Sequence, residues 1–187
     1  MRRLIVLLAL GVLGCAAPDV RPPDALQLVS RAEMSRFQLE GRLQVRDGER
    51  TAAVGVDWQH EVGHDDWLFT GPLGQGLARI EADAAGARMT LADGQRVEAA
   101  SAAELAETAL GVNAPFAQLP LWITARLRDG AEVRELDPVG RLRRVVDQGW
   151  TIDYIEYAGS GPADLPRKID VQRGDTRLRL IVDAWNP

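Results

Sequence analysis

VDWQHEVGHDDWLF, residues 56–69, can be read in two ways, and the choice decides the fold. On a helix, HEVGH at 60–64 is the metalloprotease pattern H-E-x-x-H: His60 and His64 share one face, bind zinc, and leave Glu61 as the base. On strands, the same letters are the end of a hairpin. The residues before the motif favour strands. Ala52, Val54, Val56 and Trp58 alternate with less apolar neighbours at period two, and His60 falls in phase with them. Gly63 follows, and Trp67-Leu68-Phe69 opens another apolar stretch. A turn through the motif gives the two imidazoles no reason to converge. These are the only two histidines of the chain, and Glu81, the third ligand its spacing offers, sits in the strand-like ARIEAD. The hairpin reading therefore sets zinc hydrolysis aside, and no metal is expected.

Working outward, period-two patterning continues on both sides. Phe37, Leu39, Leu43 and Val45 share one face with Gly41 in step, and Asp47-Gly48 marks a tight hairpin turn. Further strands are expected near 66–70, 77–83, 87–92 and 95–99, with Asp93-Gly94 as another turn, and then near 131–136, 141–147, 150–157, 165–173 and 176–184. In the last, Leu178, Leu180 and Val182 alternate with Arg177, Arg179 and Asp183. Ser101 to Glu104 forms a capping box for a helix in SAAELAETALG, which Gly111 is placed to end. A second short helix is expected in QLPLWITARL, and an amphipathic helix over 25–36, with Asp24 as its N-cap. The fold class is mainly β (α+β): about ten or eleven short antiparallel strands in one sheet curling toward a barrel.

The chain begins MRRLIVLLALGVLGC. Two arginines precede ten apolar residues, too few to span a bilayer and suited to a signal peptide over 1–14. Val12-Leu13-Gly14-Cys15 resembles a bacterial lipobox, whose cysteine is acylated and becomes the new N-terminus; the plainer alternative is a free thiol. Cys15 is the single cysteine, so no disulfide forms within the chain. Residues 15–24 then form a lipidated, proline-rich tether, and 25–187 a single domain. Ala16 stands where an aspartate usually marks inner-membrane retention in Gram-negative lipoproteins, which points to the outer membrane.

The formal charge of −5 becomes −7 once the two arginines of 1–14 are removed, which speaks against nucleic acid as a partner. No Ser-His-Asp set is in view. The glycine-rich GPLGQG lacks the Lys-Ser/Thr of a phosphate loop and precedes a strand, and Asp65 and Asp66 are adjacent, so they point to opposite faces of a strand. The chain is read as no enzyme, without cofactor. In Gly71-Pro72-Leu73-Gly74, proline suits the second position of a type I turn, which puts Leu73 at the tip. There it either folds back onto the body or is held outward to enter another apolar medium.

The order of these pieces resembles the LolB family: the lipobox, FQLEGRLQV, VDWQH, GPLGQ followed by LARIEAD, ADGQ, the insert ending in PLW, GWTIDYIEY and RLRLIVDAW. One departure is ITARLRDG after Trp122, where the family often has a glycine-proline turn. The resemblance implies an unclosed, strongly curved antiparallel barrel with helices plugging the opening. It implies a receptor at the periplasmic face of the outer membrane that takes lipoproteins from a LolA-like periplasmic carrier and inserts them into that membrane. Its partners would be the carrier, acylated cargo and outer-membrane lipid, and a monomer is expected. The loop leucine of the family maps onto Leu73. Candidates for an acyl-chain cavity are Phe37, Leu39, Leu43, Val54, Val56, Trp58, Leu178, Leu180 and Val182, with Leu119, Leu121 and Trp122 as a lid or plug; for each, plain core packing is the alternative. A lipid-anchored adaptor with a solid interior is the alternative.

Overall fold

The computed structural model describes residues 27–110 and 115–186. Eleven antiparallel strands form one sheet: β1 (Arg36–Asp47), β2 (Arg50–Glu61), β3 (His64–Thr70), β4 (Gly76–Asp83), β5 (Gly86–Leu91), β6 (Arg96–Ala99), β7 (Glu132–Leu136), β8 (Leu142–Asp147), β9 (Trp150–Tyr157), β10 (Pro166–Arg173) and β11 (Thr176–Asn186). Every strand expected from the sequence is present, with its ends within about two residues. The spatial order is β6-β5-β4-β3-β2-β1-β11-β10-β9-β8-β7. Apart from the central pairing of β1 with β11, every neighbour is also a neighbour in sequence, so local hairpins build almost the whole sheet.

The sheet curves but does not close, because β6 and β7 are its two edges. The chain crosses from one edge to the other through the helical insert: α1 (Ala102–Leu110), a 3-10 turn (Phe116–Gln118) and α2 (Leu119–Ile123). Ser101 Oγ accepts from the Glu104 amide at 3.4 Å, one arm of the expected capping box. Gly111 lies outside the described residues. α1 packs on β4, β5, β6 and the 3-10 turn, and Leu105, Ala106, Phe116, Leu119, Trp122 and Ile123 join the buried faces of the strands in one hydrophobic core.

Two local features depart from the sequence reading. Residues 27–35 form no helix; the rest of the expected helix and its cap, 24–26, lies outside the described residues. Amphipathic spacing loses here to tertiary hydrogen bonds. The Val29 amide donates to Gly140 O at 2.9 Å, and the Arg31 guanidinium donates to the carbonyls of Pro162, Ala163 and Asp164 at 3.1, 2.9 and 2.5 Å. The segment is a strap across the β7–β8 and β9–β10 connections. The second feature is the end of α2, where the chain lacks a glycine-proline turn. Ala125 adopts φ 53°, its amide donates to Trp122 O at 3.0 Å, and the Arg126 amide donates to Leu121 O at 3.1 Å. This is a Schellman termination with alanine in the position usually given to glycine.

Gly41 marks a bulge where β1 meets β11, with the register shifting between Glu40 and Gly41. A Cβ there would lie 2.3 Å from the Ile181 carbonyl oxygen, a backbone atom that cannot turn aside. Gly41→Val therefore lowers the unfolding free energy by about 1–3 kcal/mol, measured by urea denaturation; an unchanged midpoint would show that the bulge accommodates a side chain.

Candidate functional site

The HEVGH segment is a hairpin, as the alternation requires. β2 ends at Glu61, β3 begins at His64, and Gly63 takes φ 81° in the two-residue turn between them. Glu61 pairs across the hairpin with His64, and His60 with Asp65. His60 and His64 therefore project from opposite faces of the sheet and cannot share an ion. The inward imidazole serves packing instead. His60 Nδ1 is hydrogen-bonded to Asp65 Oδ1 at 2.7 Å, which also accepts from Trp58 Nε1 at 2.8 Å. Phe37 stacks on the His60 ring at 4.7 Å.

The loop after β3 is compact and closed by its own hydrogen bonds. The Gly74 amide donates to Gly71 O at 2.9 Å, the Gly71 amide to Gln75 O at 2.8 Å, and the Leu73 amide to Gln75 Oε1 at 3.1 Å. Gly74 takes φ 80°, a conformation costly for any other residue. Leu73 is 94% exposed, the most exposed large apolar side chain among the described residues. Of the two readings left open by the sequence, the outward one matches this geometry. Leu68 and Leu77 are also exposed and line one cleft of about 490 Å³ along the outer surface of β3, β4 and β5. Sequence reasoning passed over both, because each falls on the polar phase of its strand and nothing in the pattern marks that outer surface as apolar.

The residues proposed to line a cavity all belong to the single core cluster. Phe37, Leu39, Leu43, Val56, Trp58, Leu119, Trp122, Leu178, Leu180 and Val182 are buried, while Val54 and Leu121 are partly buried against them. The two β faces and the insert are brought together as expected, but in close contact with one another.

Polar bonds fix the insert in that position. Trp122 Nε1 donates to Asp147 Oδ2 at 2.9 Å, and Arg128 Nε lies 3.4 Å from the other oxygen of this buried carboxylate. Tyr154 donates its hydroxyl to Trp122 O at 3.0 Å, and burial pushes that phenol far above its usual range, so it stays a donor. Thr124 Oγ1 donates back to Pro120 O at 2.8 Å. Neither Asp147 nor Tyr154 was singled out from sequence. The GWTIDYIEY strand supplies the tyrosine, but its partner is a backbone carbonyl that no side-chain pattern announces.

The LolB family model, described as outer membrane lipoprotein LolB, matches residues 35–185. The chain belongs to the LolB family. An outer-membrane lipoprotein LolB of Azoarcus sp. (strain BH72) is 40% identical over 171 residues, covering 91% of this chain and 87% of that protein. One of Thiobacillus denitrificans is 40% identical over 190 residues, covering 99% and 98%. Among solved structures, a LolA superfamily protein of Nitrosomonas europaea aligns at TM-score 0.52 with 10% identity, covering 83% of this chain and 87% of its own. A DUF1329 family protein of Desulfovibrio piger also gives 0.52, with 9% identity and 81% and 85% coverage. At such identities these two speak for the fold alone. Within the LolB family, then, this chain carries an unclosed sheet, a helical insert held by buried hydrogen bonds and an outward leucine at the tip of the loop after β3.

Asp147→Ala strands the indole N–H of Trp122 and costs about 1–3 kcal/mol of stability. Trp122→Phe is expected to cost less in that background than alone, a coupling that a double-mutant cycle in urea measures directly. Additive losses would mean that the indole and the carboxylate do not act together.

Proposed function

We propose that this chain is an outer-membrane-anchored receptor of the Lol pathway. It takes acylated lipoproteins from a LolA-like periplasmic carrier, covers their acyl chains, and passes them to the outer membrane through the Leu73 loop. Membership of the LolB family supports the role and the location. The observation that carries the delivery step is Leu73, held 94% exposed on a loop closed by its own hydrogen bonds. In this reading 1–14 is removed, Cys15 is acylated and 15–24 is the tether, all three outside the described residues.

The energetics fit. Burial contributes about 0.8 kcal/mol per methylene, so exposing one long acyl chain to water costs on the order of 10 kcal/mol. A protein that keeps chains covered removes that barrier, and no nucleotide is needed if each successive acceptor binds them more tightly. Inserting Leu73 contributes about 1.5–3 kcal/mol, too little to anchor a protein but enough to bias contact once a lipid tether holds it near the membrane. The strap reaches the β2–β3 end of the sheet at Ser35, whose carbonyl accepts from the Val62 amide at 2.9 Å, while the Leu73 loop leaves the opposite end of β3.

The close-packed interior favours a second reading, a lipid-anchored adaptor that binds proteins and has no acyl-chain affinity. Transfer of a purified lipoprotein from its carrier to outer-membrane vesicles separates the two, using the anchor-free chain and its Leu73→Glu variant. The receptor reading expects both forms to accept cargo and the variant to deliver it at least several-fold more slowly, because a carboxylate replaces the inserting side chain. If neither form accepts cargo, the adaptor reading holds.

A further inference from the structure

Three of the five indoles have a clear acceptor. Trp58 Nε1 donates to Asp65 Oδ1, Trp122 Nε1 to Asp147 Oδ2, and Trp185 Nε1 to Pro166 O at 2.9 Å. Trp67 differs: its residue is 3% exposed, and its Nε1 is buried with no hydrogen-bond partner among the described residues. Such a donor loses its water on folding and gains nothing in return. A phenylalanine would fill much of the same apolar space without that loss.

The place of this donor gives it a meaning. On the inner face of β3, Trp67 pairs across the sheet with Trp58 on one side and Ile80 on the other. Its ring packs against Trp58 at 5.4 Å between centroids and edge-on to Phe116 at 6.3 Å. Phe69, next on the same face, also meets Phe116 edge-on, at 6.2 Å. Phe116 belongs to the insert, so the Trp67 ring, with its buried N–H, lies at the seam between sheet and plug. An acyl chain is the complementary object: a long hydrocarbon whose head carries an ester or amide carbonyl oxygen that accepts a hydrogen bond.

We propose that Trp67 is the polar anchor for an acyl carbonyl. When a chain takes the place of Phe116 against β3, its carbonyl oxygen accepts a hydrogen bond from Trp67 Nε1, which sets how deep the chain lies and favours acyl over bare hydrocarbon groups. This rests on the acyl-binding reading above and adds a specificity-determining residue to it.

The test compares a lipopeptide bearing two ester-linked chains with its ether-linked counterpart, which has the same chains and no chain carbonyls, each displacing a fluorescent fatty probe from the anchor-free protein. The unmodified chain is expected to prefer the ester form by about 2- to 10-fold, the range of one neutral hydrogen bond. Trp67→Phe is expected to erase that preference while its melting temperature stays the same or rises. Trp185→Phe, which loses a paired indole, is expected to melt lower and to keep the preference. Equal binding of both lipopeptides by the unmodified chain, or a preference that survives in Trp67→Phe, overturns the anchor while leaving acyl binding intact. Failure of the unmodified chain to bind the probe or either lipopeptide overturns the acyl-binding reading and the anchor with it.

Discussion

The two edge strands, β6 and β7, do not pair with each other, and the rest of the structure depends on that gap. A sheet of eleven strands with an apolar inner face must cover that face, and an unclosed one cannot do so with strands alone. Here the connection between the edges supplies the cover. α1, the 3-10 turn and α2 carry Leu105, Phe116, Leu119, Trp122 and Ile123 into the interior. The same segment that bridges the opening therefore fills it.

That arrangement gives the interior two kinds of boundary. The strands are held to one another by continuous backbone ladders, which are costly to open. The insert is held by side-chain packing and a few polar bonds, chiefly those joining Trp122 to Asp147 and Tyr154. If the interior is to admit anything, the insert is the weaker wall. A receptor that must release its cargo benefits from such a wall, since a core displaced by one acyl chain can return when the chain leaves.

Much of this was legible in the residues. Phe37 to Val45 and Leu178 to Val182 announce their buried faces by alternation, broken only by Ile181, and Asp47-Gly48 and Asp93-Gly94 fix the turns between strands. The hairpin through HEVGH follows from the phase of His60 with Trp58, a local signal that outweighs a familiar motif. Local patterns misled over 27–35, where helical spacing is overruled by Arg31 reaching carbonyls more than 130 residues away. The GPLG turn could be read from sequence, but the exposure of Leu73 could not, because exposure depends on what the rest of the chain leaves uncovered. Whether Phe37 or Trp58 lines a cavity or a core is likewise a matter of where the insert sits. That the Trp67 indole finds no partner among the described residues is hidden for the same reason, since a hydrogen bond that is not made leaves no trace in composition or period.

The proposed function requires the insert to be a displaceable plug over an interior that covers acyl chains. Amide hydrogen exchange of the anchor-free chain, measured with and without an acylated lipoprotein delivered from its carrier, tests it most directly. A displaceable plug exchanges faster across 102–110 and 116–123 on loading, with protection in β1, β2 and β11 unchanged. Stable loading with no change in the insert would contradict it, because the chains would then be held somewhere other than beneath the plug.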